Sequence, residues 1–302
     1  MADRVQRRSA SRRVKERVTI GICFACAAIS VLTTVGIIVS LFGEAAGFFS
    51  RVSIWAFLTG RDWSPLFSPP SYGVLPLAMG TLLITAGAAV IAIPIGLLVA
   101  IFLSDYATPR ARAWLKPALE LLAGIPTVVY GYFGITVVTP VLRKFIPGVG
   151  VFNAMSGAIV VGIMILPLMS SLCEEALAAV PRSLREGAYA LGATKREAIQ
   201  RVVVPAALSG IVSAAILAIS RAVGETMAVT LAAGATPKMT LDPRESIQTM
   251  TAFIVQVSQG DAPAGSPAYH SIFAIGATLF LLTLVMNLVA RALVRRFRNV
   301  YE

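Results

Sequence analysis

Arg221 and Glu225 lie four positions apart inside an otherwise apolar run, residues 206–233. An ionisable side chain at the centre of a membrane-length helix costs about 2.5–3.5 kcal/mol even on the lower scales. Such residues are therefore expected to face a protein interior or a wet cavity, and a functional role is the default reading. Their spacing predicts one helical face and a separation short enough for pairing. Two roles fit. The pair either fixes helix packing as a buried ion pair, or it offers a guanidinium with two parallel donors to an oxyanion.

A second segment carries chemistry of another kind. Residues 186–208, EGAYALGATKREAIQRVVVPAAL, form a charged, helix-favouring insert in an apolar chain. Pro181 suits a first helical turn and Gly192 a left-handed cap, while Thr194 with Glu197 three residues later has capping-box spacing. Helix, glycine corner and helix predict a compact knob, with Glu186 expected to cap or brace its first helix.

The elements that position these residues follow from composition. The chain has 302 residues, 57% hydrophobic and 14% charged, with a mean hydropathy of +0.79. That is too apolar for a soluble domain of this size. A spanning helix needs about 20 mainly apolar residues. Six stretches qualify, at residues 18–42, 74–103, 117–142, 154–173, 206–233 and 272–294. Gly124, Ile125 and Pro126 punctuate the third, where the freed backbone groups need partners within protein, or where the helix simply kinks. No G-x-x-x-x-G-K-[ST] phosphate loop and no H-E-x-x-H zinc helix occurs, so the sequence offers neither a nucleotide site nor a hydrolytic metal site.

The net charge of +11 is distributed in a way that argues against nucleic acid. Lys and Arg concentrate in the N-terminal tail, in the loop with Arg110, Arg112 and Lys116, in the knob, and in the C-terminal tail. The intervening loops carry few, such as Arg51, Arg61, Lys238 and Arg244. The positive-inside rule then places both termini and the knob in the cytoplasm, and the charge reads as topology and contact with anionic lipid. Ser11-Arg12-Arg13 before an apolar run imitates a twin-arginine export signal, but the run is long and five further spans follow, so an uncleaved first span is expected.

Cys23, Cys26 and Cys173 fall in or beside apolar segments, where core packing is expected and no disulfide framework is implied. His270, the only histidine, reads as an interfacial polar residue without metal-ligand companions. Residues 44–72, rich in Trp and Pro, are expected to form an external cap in which Trp55, Trp63 and Tyr72 either receive an external protein or anchor at the interface. In the second external loop, residues 234–269, the apolar middle at 247–257 is expected to form a re-entrant or surface helix.

The knob resembles the EAA loop of bacterial ABC-importer permeases, whose pattern is E-A-A, three residues, G, nine residues, then I-x-L-P. Glu186, Gly187, Ala188, Gly192, Val202, Val204 and Pro205 keep that spacing, with Gly187 in place of the middle Ala and two valines in place of Ile and Leu. The resemblance implies an all-α membrane protein with six transmembrane helices and the type I ABC importer permease fold. Residues 1–72 would hold the basic tail, first helix and external loop. Residues 73–294 would be the transmembrane domain with the EAA-like loop at 181–205, and 295–302 a cytoplasmic tail. Glu186, Gly187, Ala188, Gly192 and Pro205 would couple to a separate ATPase.

Across its length the chain is similar to high-affinity phosphate importer permeases. The resemblance rests on YGVLPLAMGTLLIT from Tyr72, PIGLLVAIFLSDYA from Pro94, LELLAGIPTVVYGYFG from Leu119 and SRAVGETMAVTLAAG from Ser220. Trp63-Ser64-Pro65 before YGVLP favours the C-type subunit. That likeness implies a partner permease in a heterodimer, two ATPase subunits that use ATP and Mg, an external phosphate-binding protein, and no cofactor in this chain. It also implies the bacterial cytoplasmic (inner) membrane, and a substrate path through Arg221 and Glu225, in which Glu225 would hold Arg221 when the path is empty and release it when phosphate arrives. The alternatives are a permease for molybdate or sulfate, or a membrane enzyme or scaffold that uses the knob for protein contact.

Overall fold

The computed structural model describes residues 2–261, 263 and 265–298; the end of the expected C-terminal tail, 299–302, lies outside them. Helix α1, Ala2–Phe49, is followed by short α2, Ile54–Thr59, and by strands β1, Trp63–Ser64, and β2, Ser71–Tyr72. The strands pair antiparallel, Trp63 opposite Tyr72. Then come α3 (Leu75–Ile101), α4 (Pro109–Gly124), α5 (Thr127–Phe133), α6 (Thr139–Phe145) and α7 (Ala154–Ala178). The knob holds α8 (Arg182–Ala190), α9 (Lys195–Ala198) and α10 (Val204–Ala206). Helices α11 (Leu208–Val223), α12 (Met227–Ala233), α13 (Met250–Gln256) and α14 (Pro267–Arg298) complete the chain.

Among the described residues, four helices are long and apolar enough to cross a membrane: Lys15–Phe49, Leu75–Tyr106, Ala154–Ala178 and Pro267–Ala292. Two bent pairs raise the number to six if each is one span: Pro109–Gly124 with Thr127–Phe145, bent 91°, and Lys195–Ala206 with Leu208–Val223, bent 70°. The expected third span, 117–142, is therefore sharply broken rather than kinked. Pro126 disfavours helical backbone at Ile125, which adopts ψ 130°. The carbonyl of Leu122 freed by the break accepts a hydrogen bond from the Tyr130 hydroxyl at 2.7 Å, so the apolar setting leaves it paired.

The bundle is built around α7, packed on one side by α3 and on others by α11 and α12. On α3 the buried residues Ile84, Ala88, Ala92, Gly96 and Ala100 recur every four positions. This small-residue row lets two backbones approach closely. A Cβ at Gly96 would stand 2.6 Å from the Met169 side chain, so the close approach is specific to glycine.

Helix α1 lies outside this bundle and packs along α14. Cys23 and Cys26 are exposed on it. The expectation that they pack in a core is thus corrected: α1 turns most of its apolar surface away from its own chain.

The external cap is an aromatic cluster. Trp63 meets Phe253 edge to face with centroids 4.9 Å apart and also contacts Phe57 and Tyr72. Trp63 is only 3% exposed, whereas Trp55 is 74% exposed. Of the two tryptophans, only Trp55 is placed to meet lipid or an external protein. His270 lies 3.2 Å from the Glu44 carboxylate, a companion that sequence spacing alone did not reveal.

Candidate functional site

The expected fifth span, 206–233, is two helices, and the break falls between Arg221 and Glu225. Helix α11 ends at Val223, and α12 begins at Met227. Arg221 occupies the last turn of α11 and is exposed on the chain; Glu225 is 8% exposed within the break. The i,i+4 pairing is corrected accordingly, because no continuous helix joins the two residues and the ion pairs of the described residues do not include them. Glu225 instead accepts the Ala228 backbone N–H at 3.2 Å and so satisfies an orphan donor in the first turn of α12.

The other freed backbone group is met from outside the span. Helix α13 enters the bundle with Ile247, Gln248, Thr249, Met250 and Thr251 buried, and the Thr251 hydroxyl donates to the Glu225 carbonyl at 2.8 Å. Met250 donates its backbone N–H to the Thr81 hydroxyl of α3 at 3.1 Å. A Cβ at Gly80 would sit 2.4 Å from the Gln248 carbonyl, so α3 admits this loop only where it lacks a side chain. Residues 247–253 are thus buried against the bundle rather than laid on its surface.

Arg221 faces a cavity of about 360 Å³ bounded by α4 and α7, whose charged lining also includes Lys116, Glu120, Glu174 and Glu175. From Met164 to Glu175 the lining runs eleven residues along α7, roughly 16 Å at helical rise. Glu174, 3% exposed, is held by Arg112 and by Lys116 at 3.3 Å. Its charge is thereby compensated, while Arg221 forms none of the ion pairs found among the described residues and lines the cavity. The Arg112, Lys116 and Glu174 cluster was not singled out from sequence. The available signal was Glu174-Glu175 directly after an apolar run.

The knob forms as its spacing predicts. Gly192 has φ +83°, with Ala193 N–H donating to Ala188 O at 3.1 Å and Gly192 N–H to Tyr189 O at 2.9 Å, the double closure that left-handed caps use. Thr194 and Glu197 form a reciprocal capping box, and the Thr194 backbone N–H and hydroxyl hold the Glu197 carboxyl below its ordinary range. Gly187, Gly192 and Pro205 are exposed, as are Tyr189 and Leu191, the latter at 91%. Ala188 is the buried residue of α8. Glu186 differs from expectation: among the described residues its carboxylate makes no hydrogen bond or ion pair, and it lines a surface cavity with Arg112, Arg182 and Arg185. The bracing falls to its neighbour Arg185, which pairs with Asp105 and donates to Leu177 O at 2.7 Å.

On the opposite face, the loop after α12 carries Arg244 bound through two nitrogens to Asp242. Those bonds lower the Asp242 carboxyl to about 2.

Residues 92–299 match the family described as binding-protein-dependent transport system inner membrane component. The chain is 37% identical over 274 residues to the probable ABC transporter permease protein YqgH of Bacillus subtilis, covering 90% of this chain and 88% of that protein. It is 34% identical over 292 residues to the phosphate transport system permease protein PstC of Mesorhizobium japonicum, covering 89% and 87%. Among solved structures, a chain of a bacterial alginate ABC transporter superposes with TM-score 0.62 at 14% identity, covering 91% of this chain and 96% of that one. A chain of the inward facing MetNI methionine ABC transporter superposes with TM-score 0.56 at 18% identity, covering 74% and 94%. With bent helix pairs, a short buried helix and an EAA-type knob in one bundle, and with this family match over more than half its length, the chain belongs to the inner membrane components of binding-protein-dependent transport systems and is a permease subunit of an ABC importer.

Proposed function

We propose that this subunit carries inorganic phosphate across the bacterial cytoplasmic membrane by alternating access. In this reading it pairs with a second permease, two ATPase subunits that use ATP and Mg, and an external phosphate-binding protein. Both termini and the knob face the cytoplasm, in keeping with the Lys and Arg concentrated on that side. The exposed corner of Tyr189, Leu191 and Gly192 fits a docking surface for an ATPase. The exposed apolar face with Trp114, Leu121 and Tyr132 fits a second membrane subunit.

The observation that carries an anionic cargo is Arg221, a guanidinium lining a cavity beside a broken span. Arginine stays charged in a low-dielectric site and matches the oxygens of a tetrahedral oxyanion in a planar fork. Phosphate among the oxyanions is supported by the relatives that carry phosphate transport in their names. Glu225 acts on this path by holding the first turn of α12, not by pairing with the arginine.

Arg221→Gln is expected to abolish phosphate uptake in the reconstituted transporter while insertion and subunit assembly are retained. Near-normal uptake by the assembled variant would remove Arg221 from the path.

A further inference from the structure

Beside an apolar anchor at Ile199 and Val203, the first two helices of the knob are tied to the bundle by polar contacts that converge on one residue. In α8, Ala188 is the buried side chain, and in α9 it is Ala198, so within these two helices apolar burial is confined to small side chains. Arg185 of α8 pairs with the Asp105 carboxylate; its side chain is 19% exposed and that of Asp105 only 5%. The second guanidinium nitrogen of Arg185 donates to Leu177 O at the end of α7. Lys195 of α9 donates to the Asp105 backbone carbonyl and lies over the Tyr106 ring, 4.7 Å from its centroid. Both knob helices thus meet one short segment.

That segment is π-helical, Phe102–Tyr106, and continues α3 directly. π-Helical turns interrupt the regular backbone ladder and concentrate at functional sites. Through it Asp105 stands at the end of α3, the span packed most extensively on α7, while Arg185 reaches α7 itself. The second oxygen of Asp105 is buried without a hydrogen-bond partner. Arg185 therefore supplies the compensation that this charge requires, and breaking one partner of such a pair leaves the other unpaired in a poor solvent. Beside the link, a cavity of about 370 Å³ lined by Ser104, Arg112, Arg182, Arg185 and Tyr189 leaves α8 room to pivot.

We infer that Asp105, through Arg185, is the positioning residue that transmits movement of the knob to α3 and α7 and so ties ATP hydrolysis to the opening of the path. The inference rests on the reading that an ATPase docks on the knob. A charged link is suited to this task because it stays attached while the helices it joins change angle.

The test uses the wild-type chain with its copurified ATPase in proteoliposomes, with inorganic phosphate as the transported probe and ATP hydrolysis measured in parallel. Pull-down of an ATPase by the wild-type chain is checked first, and its absence would overturn the docking reading and this inference with it. Asp105→Asn is expected to keep the ATPase bound and hydrolysing while phosphate moved per ATP falls by at least about fivefold, the scale of an ordinary coupling between sites. Asp105→Glu, which keeps the carboxylate, is expected to retain most uptake. Arg185→Gln should reproduce the loss, and the double variant should be no worse than either single one, because both remove the same link. Should Asp105→Asn fail to assemble, Arg185→Gln and its uptake-to-hydrolysis ratio carry the same decision. An unchanged ratio in the assembled variants, or losses that add in the double variant, would overturn the inference.

Discussion

Arg221 and Glu225 divide their work across a break in the chain. Arg221 ends one half-helix and faces the cavity, while Glu225 steadies the first turn of the next through the Ala228 N–H. This separation makes a distinction that activity loss alone would miss. Glu225→Gln keeps an oxygen that can accept the same hydrogen bond, so phosphate uptake should remain within a few-fold of wild type. Glu225→Ala removes the acceptor, at a stability cost of about 1 kcal/mol typical of lost helix caps, and should lower both thermal stability and uptake. Thermal unfolding of the detergent-solubilised variants beside uptake decides the matter. Equal and severe uptake loss in both, with stability unchanged, would return the negative charge itself to the path.

At the scale of elements, the knob was legible because its determinants are local. A glycine with φ +83°, a Thr and Glu in capping-box register, and a proline before α8 each act within a few residues. The open corner also supports a specific prediction. No atom lies within 4 Å of a Cβ built at Gly192, so a side chain there meets only backbone strain of about 1 kcal/mol within this chain. Gly192→Asn, a residue that tolerates left-handed backbone, should still couple. Gly192→Trp should insert normally yet lose its coupling to the ATPase, read as uptake and hydrolysis in the reconstituted complex. Normal coupling by Gly192→Trp would show that the partner does not cover this corner.

The broken spans were less legible. Residues 117–142 and 206–233 satisfy the length and apolarity of a span, and hydropathy is blind to a change of direction within it. Pro126 marks the first break by its missing donor. The second, at Gly224, carries no proline and is stabilised from a distance by Thr251, a contact with no sequence signature. The same holds for Trp63, whose burial depends on Phe253 nearly two hundred residues away, and for the Asp105 and Arg185 link.

For the whole molecule, apolar composition announces a multi-span membrane protein and the EAA-like motif points to the family, and the match over residues 92–299 bears out the family. Chain-level asymmetry explains the surfaces as well. Helix α1 stays outside the bundle, α4 buries no residue, and Arg221 opens toward the space beside the chain. Surfaces left so uncovered on these elements are in keeping with the proposal that a second membrane subunit packs against them.

The most direct measurement is uptake by the assembled transporter, containing this chain and the permease, ATPase and binding protein that copurify with it, reconstituted with ATP on the cytoplasmic side. Labelled phosphate is offered alone and against excess sulfate or molybdate. The predicted result is ATP-dependent phosphate accumulation that unlabelled phosphate competes away and the other two oxyanions leave largely unchanged. Accumulation of sulfate or molybdate in place of phosphate, or phosphate movement that does not depend on ATP, would contradict it.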